Sequence, residues 1–351
     1  MNVMMMNLIF IKKFMHLMNL NKYFYLMLIF GTLITINSSS WIGAWMGMEM
    51  NLLSFIPLLM NSMKLSKNSN SSMMYYIIQV CGSSMLLMMI LMMKLNFFML
   101  NNNLFIVFLQ ISLILKLGAS PFHWWFIKIM NSMSWMNCFL LMSFQKIAPL
   151  LLLMNTNISN IIYMSMLFSG LMGSLMGINQ TSLKMIMGYS SLNHLSWMFM
   201  SMFIDLNILI IYLIIYFLNN FMICMFFMYF DLNYLNQIYV MNNMNFFFKM
   251  LIMMMFLSMA GIPPMFGFLP KFFVFILMIK NLFFIESFLF IIYTLIVLFY
   301  YINLILPSML NLKLMMKFNL NYLNFNFYIL LILLFNLFIM LFYYFILFFM
   351  F

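Results

Sequence analysis

The sequence predicts an all-α polytopic membrane protein with about eleven transmembrane helices. Of its 351 residues, 68% are hydrophobic and only 5% are charged, whereas a water-soluble domain carries roughly 25% charged residues. The apolar runs are about 20 residues long, which is the length of a helix that crosses a bilayer, and they lack the two-residue alternation of a barrel strand. Since only helices and closed barrels satisfy the backbone in lipid, we expect helices.

Polar connectors divide the chain into candidate membrane spans. Two spans, 102–130 and 246–280, are too long for one straight crossing, and each contains a Gly/Pro interruption, at Gly118 to Pro121 and at Gly261 to Pro270. We expect each to be one broken helix, because glycine and proline end helices. No hydrophilic stretch is long enough for a soluble domain, so residues 1–351 are expected to form a single membrane domain. The predicted spans are 22–38, 41–60, 72–94, 102–130, 132–153, 158–178, 184–203, 207–230, 246–280, 284–306 and 326–349.

The two broken helices predict an internal repeat. Lys116 precedes one break and Lys271 follows the other. The broken helices are five spans apart in the predicted order, and two units of five helices must cross the membrane in opposite directions. We therefore expect an inverted repeat with one broken helix in each unit, as in many ion carriers. The units are 1–153, which includes an N-terminal extension, and 158–306; a loop and a last helix follow in 307–351.

The amino-acid composition indicates the compartment in which the chain is translated. The chain contains 51 Met, 45 Phe and 18 Tyr but no Arg. The abundant residues have AT-rich codons, and ATA also encodes methionine in animal mitochondria, so we expect a chain made inside that organelle. Methionine as a mere filler of core gaps would not explain the missing arginine. No cleavable import signal is evident, as expected for such a chain. Three scattered cysteines, Cys81, Cys138 and Cys224, predict no disulfide, zinc or iron–sulfur site.

The lysines predict the orientation of the chain. If the helices alternate in direction, ten lysines fall on the side of the N-terminus, and only Lys94 and Lys280 fall on the opposite side. The positive-inside rule then places the N-terminus in the matrix and the C-terminus in the intermembrane space. The net charge of +11 therefore reflects membrane orientation. Nucleic-acid binding is not expected, because the basic residues form no dense cluster.

Four ionisable residues fall at membrane depth, namely Glu49, Lys116, Lys146 and Lys271. Each such charge costs about 2.5 to 3.5 kcal/mol at a helix centre, so the four together cost about 10 kcal/mol unless they are paired or hydrated. Lys116 and Lys271 could instead extend to an interface, and Glu49 could simply neutralise a neighbouring lysine. Four such residues in one chain, two of them beside helix breaks, favour an ion path over these structural explanations.

Several motifs resemble a known family. Residues 41–57 read WIGAWMGMEMNLLSFIP, and they resemble the second helix of the mitochondrial NADH–ubiquinone oxidoreductase chain 2 family in its insect form. Residues 116–125, 135–149, 179–197 and 261–271 match the same family in the same order. The resemblance extends over roughly residues 25 to 305 of the sequence. The chain departs from the family by a longer N-terminus and by Ser120, where many relatives have alanine.

The resemblance implies an antiporter-like fold and a place in the membrane arm of respiratory complex I, beside other antiporter-like subunits and inner-membrane phospholipids. It implies that this chain binds no cofactor itself, since NADH, FMN, the iron–sulfur clusters and ubiquinone belong to other subunits. It also implies that Glu49, Lys116, Lys146 and Lys271 are the proton-path residues, and that His194 is a member of the relay.

These residues suggest a mechanism and leave two alternatives. Burial penalises a charged ammonium and a nearby carboxylate stabilises it, so we expect Glu49 to act as the charge partner of Lys116. Lys146 would relay protons through ordered water towards Lys271, and redox energy would arrive from elsewhere in the complex. An independent cation/proton antiporter would share the inverted repeat and the buried lysines. A purely structural subunit would carry the same charges as remnants.

Overall fold

The computed structural model describes residues 22–60, 65–95, 102–156, 159–240, 246–263 and 265–310. Within these ranges the chain is helical, and its single β-bridge joins Ser182 and Tyr234 outside any strand. The helices are α1 (Lys22–Asn37), α2 (Trp41–Met60), α3 (Leu65–Leu95), α4 (Asn102–Leu117), α5 (Trp124–Ser132), α6 (Trp135–Met142), α7 (Phe144–Met154), α8 (Asn160–Leu175), α9 (Leu183–Ile204), α10 (Leu206–Tyr229), α11 (Leu235–Val240), α12 (Phe246–Ala260), α13 (Phe268–Lys280) and α14 (Phe284–Leu310).

The described helices are suited to a membrane. Five stretches in the described ranges are long and apolar enough to cross a bilayer, and α1, α4 and α8 are shorter apolar helices. The predicted last span, 326–349, lies outside the described residues, so the count of eleven stays a prediction. The five long stretches are Trp41–Met60, Asn70–Lys94, Trp135–Met154, Leu206–Tyr229 and Phe284–Leu306.

The chain divides into two compact units, Met1–Ile161 and Ile162–Phe351. In the first unit, α3 packs against α2, α4 and α5, and α7 packs against α4, α6 and α2. In the second unit, α9 packs against α10 and α13, while α14 packs against α12 and α13. Every residue of α9 from Ser190 to Met202 is buried. A helix buried on all sides lies at the centre of its bundle, so α9 forms the core of the second unit.

Both predicted helix breaks are present, and both begin with the same C-terminal cap. Gly118 and Gly261 directly follow α4 and α12 and have φ angles of +67° and +79°. At the first break, the N–H groups of Gly118 and Ala119 donate to the carbonyls of Leu115 and Ile114. This is the Schellman pattern, in which a left-handed residue reverses the chain while the last carbonyls stay satisfied. Glycine suits this position because it has no Cβ.

The second break repeats this pattern. The N–H groups of Gly261 and Ile262 donate to the carbonyls of Ser258 and Leu257. The chain then re-enters a helix at Gly267, which lies so close to α12 that an added Cβ would overlap the carbonyl oxygen of Ser258. The end of α12 and the start of α13 are therefore in backbone contact.

The structure departs from the predicted spans at two places. The span 132–153 contains two helices, because Ser143 interrupts it with φ −113° and ψ −78°. The Ser143 hydroxyl donates to the carbonyl of Phe139 one turn earlier, and such a bond bends helices. In α7, Pro149 has no N–H and so cannot donate a helical backbone hydrogen bond. The short helix α11 was not predicted; its six residues are too few for a clear apolar period.

Candidate functional site

Glu49 and Lys116 form an ion pair in the first unit. The Lys116 Nζ lies 3.9 Å from the Glu49 Oε1, and the two side chains are 4% and 22% exposed. Lys116 lies in the last turn of α4, immediately before the first break, and Glu49 lies in the middle of α2. The distance is longer than a direct hydrogen bond, so the two groups attract each other without being locked together.

Helix α3 also contacts Lys116. The Gln79 side-chain amide donates to the Lys116 carbonyl at 3.2 Å. One turn later, an added Cβ at Gly82 would lie 3.0 Å from the Lys116 Cγ, so the lysine side chain passes over this glycine. Neither residue was predicted from the sequence, because an uncharged glutamine and a glycine in an apolar helix give no signal by themselves.

Lys146 is buried on α7, where its ammonium meets an aromatic ring. Its Nζ lies 5.2 Å from the centre of the Phe126 ring, a distance at which the ring face attracts a cation. Phe126 lies on α5, and its Cβ packs against Gly118 at the first break. The neighbouring Trp125 indole donates to the Leu115 carbonyl in the last turn of α4 at 3.2 Å. Trp125 and Phe126 therefore connect the break to Lys146.

A polar contact also joins the helices that carry Lys146 and Glu49. The side-chain amide of Gln145 donates to the Asn51 Oδ1 at 3.1 Å. These two residues are one and two positions from Lys146 and Glu49 in the sequence. The structure therefore brings Glu49 and Lys116 into direct contact and places Lys146 on a helix that packs against both α2 and α4.

In the second unit, Lys271 is held by the carboxyl end of α12. Although Lys271 lies on α13, after the break, its Nζ donates to the carbonyls of Met259 at 3.1 Å and Ala260 at 2.8 Å. These carbonyls form the negative end of the α12 dipole, which favours a cation. Gly261 leaves room for this arrangement, since an added Cβ would lie 2.9 Å from the Lys271 Cδ.

His194 lies in the buried part of α9, and its Nδ1 is 2.8 Å from the Tyr212 hydroxyl. Its ring also packs against the rings of Tyr212 and Tyr216. The hydroxyl of Tyr216 faces Ser191 and Asn220. The α10 residues recur every four positions, so they lie along one face of the helix. This polar seam (Tyr212, Tyr216 and Asn220) was missed, although its spacing could have indicated it. Helix α9 also packs against α13, which carries Lys271.

Each of the two units therefore contains protonatable side chains among its apolar helices, and each of these side chains can bind or release a proton. Among the described residues, no group of three His, Cys, Asp or Glu side chains is placed to hold a metal ion. The protonatable groups of the site comprise one partly buried carboxylate, three buried ammonium groups and one buried imidazole, namely Glu49, Lys116, Lys146, Lys271 and His194.

Comparisons with known proteins find related chains. Residues 38–297 match a family model described as NADH:quinone oxidoreductase/Mrp antiporter, TM. The chain is 42% identical over 265 residues to NADH-ubiquinone oxidoreductase chain 2 of Anopheles gambiae, covering 75% of this chain and 76% of the relative. It is 44% identical over 292 residues to the Aedes aegypti chain 2, covering 81% and 84%.

Two solved structures share the fold. One is a chain of respiratory complex I from Thermus thermophilus with bound aureothin, with a TM-score of 0.72 and 17% identity over 81% of this chain and 70% of that one. The other is a chain of the Mrp complex from Dietzia sp., with a TM-score of 0.74 and 14% identity over 81% and 59%.

Proposed function

The chain belongs to the NADH-ubiquinone oxidoreductase chain 2 family, whose members are core membrane-arm subunits of proton-translocating complex I, and we propose that its own proton path runs through Glu49, Lys116, Lys146, Lys271 and His194. The ion pair between the buried Lys116 and the partly buried Glu49 carries this proposal. Placing both charges in an apolar helix bundle costs several kcal/mol. A chain with only 5% charged residues gains nothing structural from such a pair that apolar packing would not supply.

The first unit supplies a switch. At 3.9 Å the Glu49 carboxylate stabilises the Lys116 ammonium, but a small side-chain rotation is enough to separate them. Separation leaves the ammonium in an apolar surrounding, where the neutral amine is favoured and a proton is released. Lys146 receives the proton on the neighbouring helix α7, where the Phe126 ring stabilises the charged form.

The second unit supplies a holding position. The two carbonyls at the end of α12 accept from Lys271 and stabilise its charged state with dipoles. His194 lies on a helix that packs against α13. Next to it in sequence, the fully buried Asn193 amide has no protein partner for either polar atom among the described residues. Buried polar groups of this kind bind ordered water, which supports a hydrated path.

The finer architecture belongs to the same proposal. We infer eleven transmembrane helices arranged as an inverted repeat of two five-helix units with a further helix at the C-terminus. The matching Schellman caps at Gly118 and Gly261 support it, since each unit contains one broken helix that ends in the same way. The division of the chain after Ile161 falls close to the predicted boundary between the repeats.

The setting of the chain follows from its family. It is a multi-pass membrane protein within complex I and contributes to NADH:ubiquinone reduction as a subunit of that complex. We propose that it lies in the mitochondrial inner membrane, with the N-terminus in the matrix and the C-terminus in the intermembrane space. Neighbouring antiporter-like subunits and phospholipids would cover its sides, and the nicotinamide, flavin, iron–sulfur and ubiquinone sites would belong to other subunits.

The test is proton pumping by complex I that carries single substitutions in this chain, reconstituted into vesicles and driven by NADH and ubiquinone. We expect Lys116→Met and Lys271→Met to lower turnover and pumping together, because each removes a proton carrier while keeping the side-chain length. Lys128→Met and Lys280→Met are matched controls on α5 and α13, since both lysines are exposed.

Native-gel migration with NADH dehydrogenase activity should accompany every variant, so that loss of assembly is separated from loss of pumping. Normal pumping by assembled Lys116→Met and Lys271→Met complexes would contradict the proposal and favour a purely structural subunit. Migration of the chain alone, without that activity, would instead favour an independent antiporter.

A further inference from the structure

The hydroxyl of Tyr212 contacts the ring of His194 in the core of the second unit. The Nδ1 of His194 and the hydroxyl oxygen are 2.8 Å apart, and both side chains are almost completely buried. Their rings also pack edge to face, with centroids 6.0 Å apart. In this buried position, the hydrogen bond helps to fix the orientation of the imidazole ring.

From this contact we propose that Tyr212 is a positioning residue for proton transfer by His194, fixing its Nδ1 so that the proton is exchanged at Nε2. This inference rests on the proposed role of His194 in the proton path. It goes beyond that role because it selects the ring atom that reacts and the side chain that selects it.

A hydroxyl suits both charge states of the imidazole. When the ring is neutral, the Nδ1 N–H donates to the Tyr212 hydroxyl oxygen, so the lone pair lies on Nε2 and accepts the incoming proton. When Nε2 has taken up a proton, the Nδ1 N–H still donates to the same hydroxyl, and the proton leaves again from Nε2. A carboxylate in the same position would favour the charged ring and hold the proton, whereas the neutral hydroxyl serves both states and lets the proton leave.

The polar seam on α10 lies along the His194 ring. Tyr212 and Tyr216 lie one turn apart, and both rings contact His194. The hydroxyl of Tyr216 faces Ser191 and Asn220. Both tyrosine rings therefore pack against His194, and the hydroxyl of Tyr212 forms the hydrogen bond with its Nδ1.

The experiment measures NADH-driven proton pumping and ubiquinone reduction per assembled complex for Tyr212→Phe, His194→Gln and the double variant. Tyr212→Phe removes only the hydroxyl, and we expect it to lower both rates by about 2- to 10-fold, the effect of one hydrogen bond. His194→Gln keeps a hydrogen-bonding side chain that cannot carry a proton, and we expect a larger loss. The double variant should be no worse than His194→Gln alone.

The control is Tyr301→Phe, which removes an equally buried hydroxyl from the second unit that faces Ser190 and Tyr300. We expect normal rates for it. If His194→Gln pumps normally, the histidine is not in the path, and both the proposed role and this inference fail. If His194→Gln is impaired but Tyr212→Phe is not, only the inference fails. An equal loss from Tyr212→Phe in both histidine backgrounds would show a structural role and also overturn it.

Discussion

Replacing Gly261 by alanine tests whether the second break holds Lys271 in a working position. The added Cβ would lie 2.9 Å from the Lys271 Cδ and 3.1 Å from its Nζ, so the lysine must move. Because the contacted atoms belong to a flexible side chain, the backbone can stay while the ammonium leaves the carbonyls of Met259 and Ala260. We therefore expect an assembled complex with a displaced proton carrier.

The magnitude follows from two effects. A residue with a Cβ at φ +79° costs about 1 to 2 kcal/mol of folding stability. Loss of one hydrogen bond from a charged group costs about 1.5 to 3 kcal/mol. If the second cost falls on the transfer step, the rate drops by about 10- to 100-fold. The first cost lowers the amount of assembled complex, which a native gel measures separately.

The assay is proton pumping per assembled complex in reconstituted vesicles. Gly267→Ala is the informative contrast, because its Cβ would overlap the backbone carbonyl of Ser258, and we expect it to prevent assembly. Gly43→Ala is the neutral control, since its Cβ would meet only serine side-chain atoms at 3.2 and 3.3 Å. Full pumping by the Gly261→Ala complex would refute the reasoning, because it would show that pumping does not need the hydrogen bonds from Lys271 to the carbonyls of Met259 and Ala260.

Three further substitutions have defined outcomes. Gly82→Val adds a branched side chain where the Lys116 Cγ already lies 3.0 Å from a Cβ position; it should lower pumping per assembled complex in vesicles, and full pumping would show that Lys116 adapts. Phe126→Leu removes the aromatic ring next to Lys146 and with it about 0.5 to 2 kcal/mol of cation–π attraction. Turnover should fall in this variant and stay normal in Phe126→Trp, whereas equal turnover in both variants would contradict a role for the contact. Tyr163→Phe removes a partly exposed 2.7 Å hydrogen bond to Glu286. The free energy of unfolding should fall by about 1 kcal/mol or less, with pumping unchanged. A pumping defect would instead place Glu286 in the proton path.

The charged residues of the site could be predicted because each conflicts with its surroundings. A lysine in an apolar run is costly wherever it lies, and Gly118 and Gly261 mark the breaks by their own backbone preference. The pairing of Glu49 with Lys116 depended on the family resemblance, since residues on different helices have no fixed distance in sequence. The structure supplies this pairing directly.

The uncharged part of the site could not be predicted in this way. Gln79, Phe126 and Tyr212 contact site residues that lie 37, 20 and 18 positions away in the sequence, and only helix packing brings these partners together. Their residue types are also ordinary in a membrane helix. The interruption at Ser143 was missed for a related reason, because serine is common in such helices and usually donates to its own helix without breaking it.

The carbonyl oxygens that hold Lys271 bear on which ions the second unit admits. Two carbonyls at the end of α12 stabilise one positive charge, and the protonated Lys271 provides that charge. A sodium or potassium ion approaching the same oxygens meets an ammonium that cannot diffuse away, and a chloride ion meets oxygens of its own sign. In the proposed proton path, the tethered amine of Lys271 therefore replaces a selectivity filter, because it occupies the cation position and exchanges only its proton.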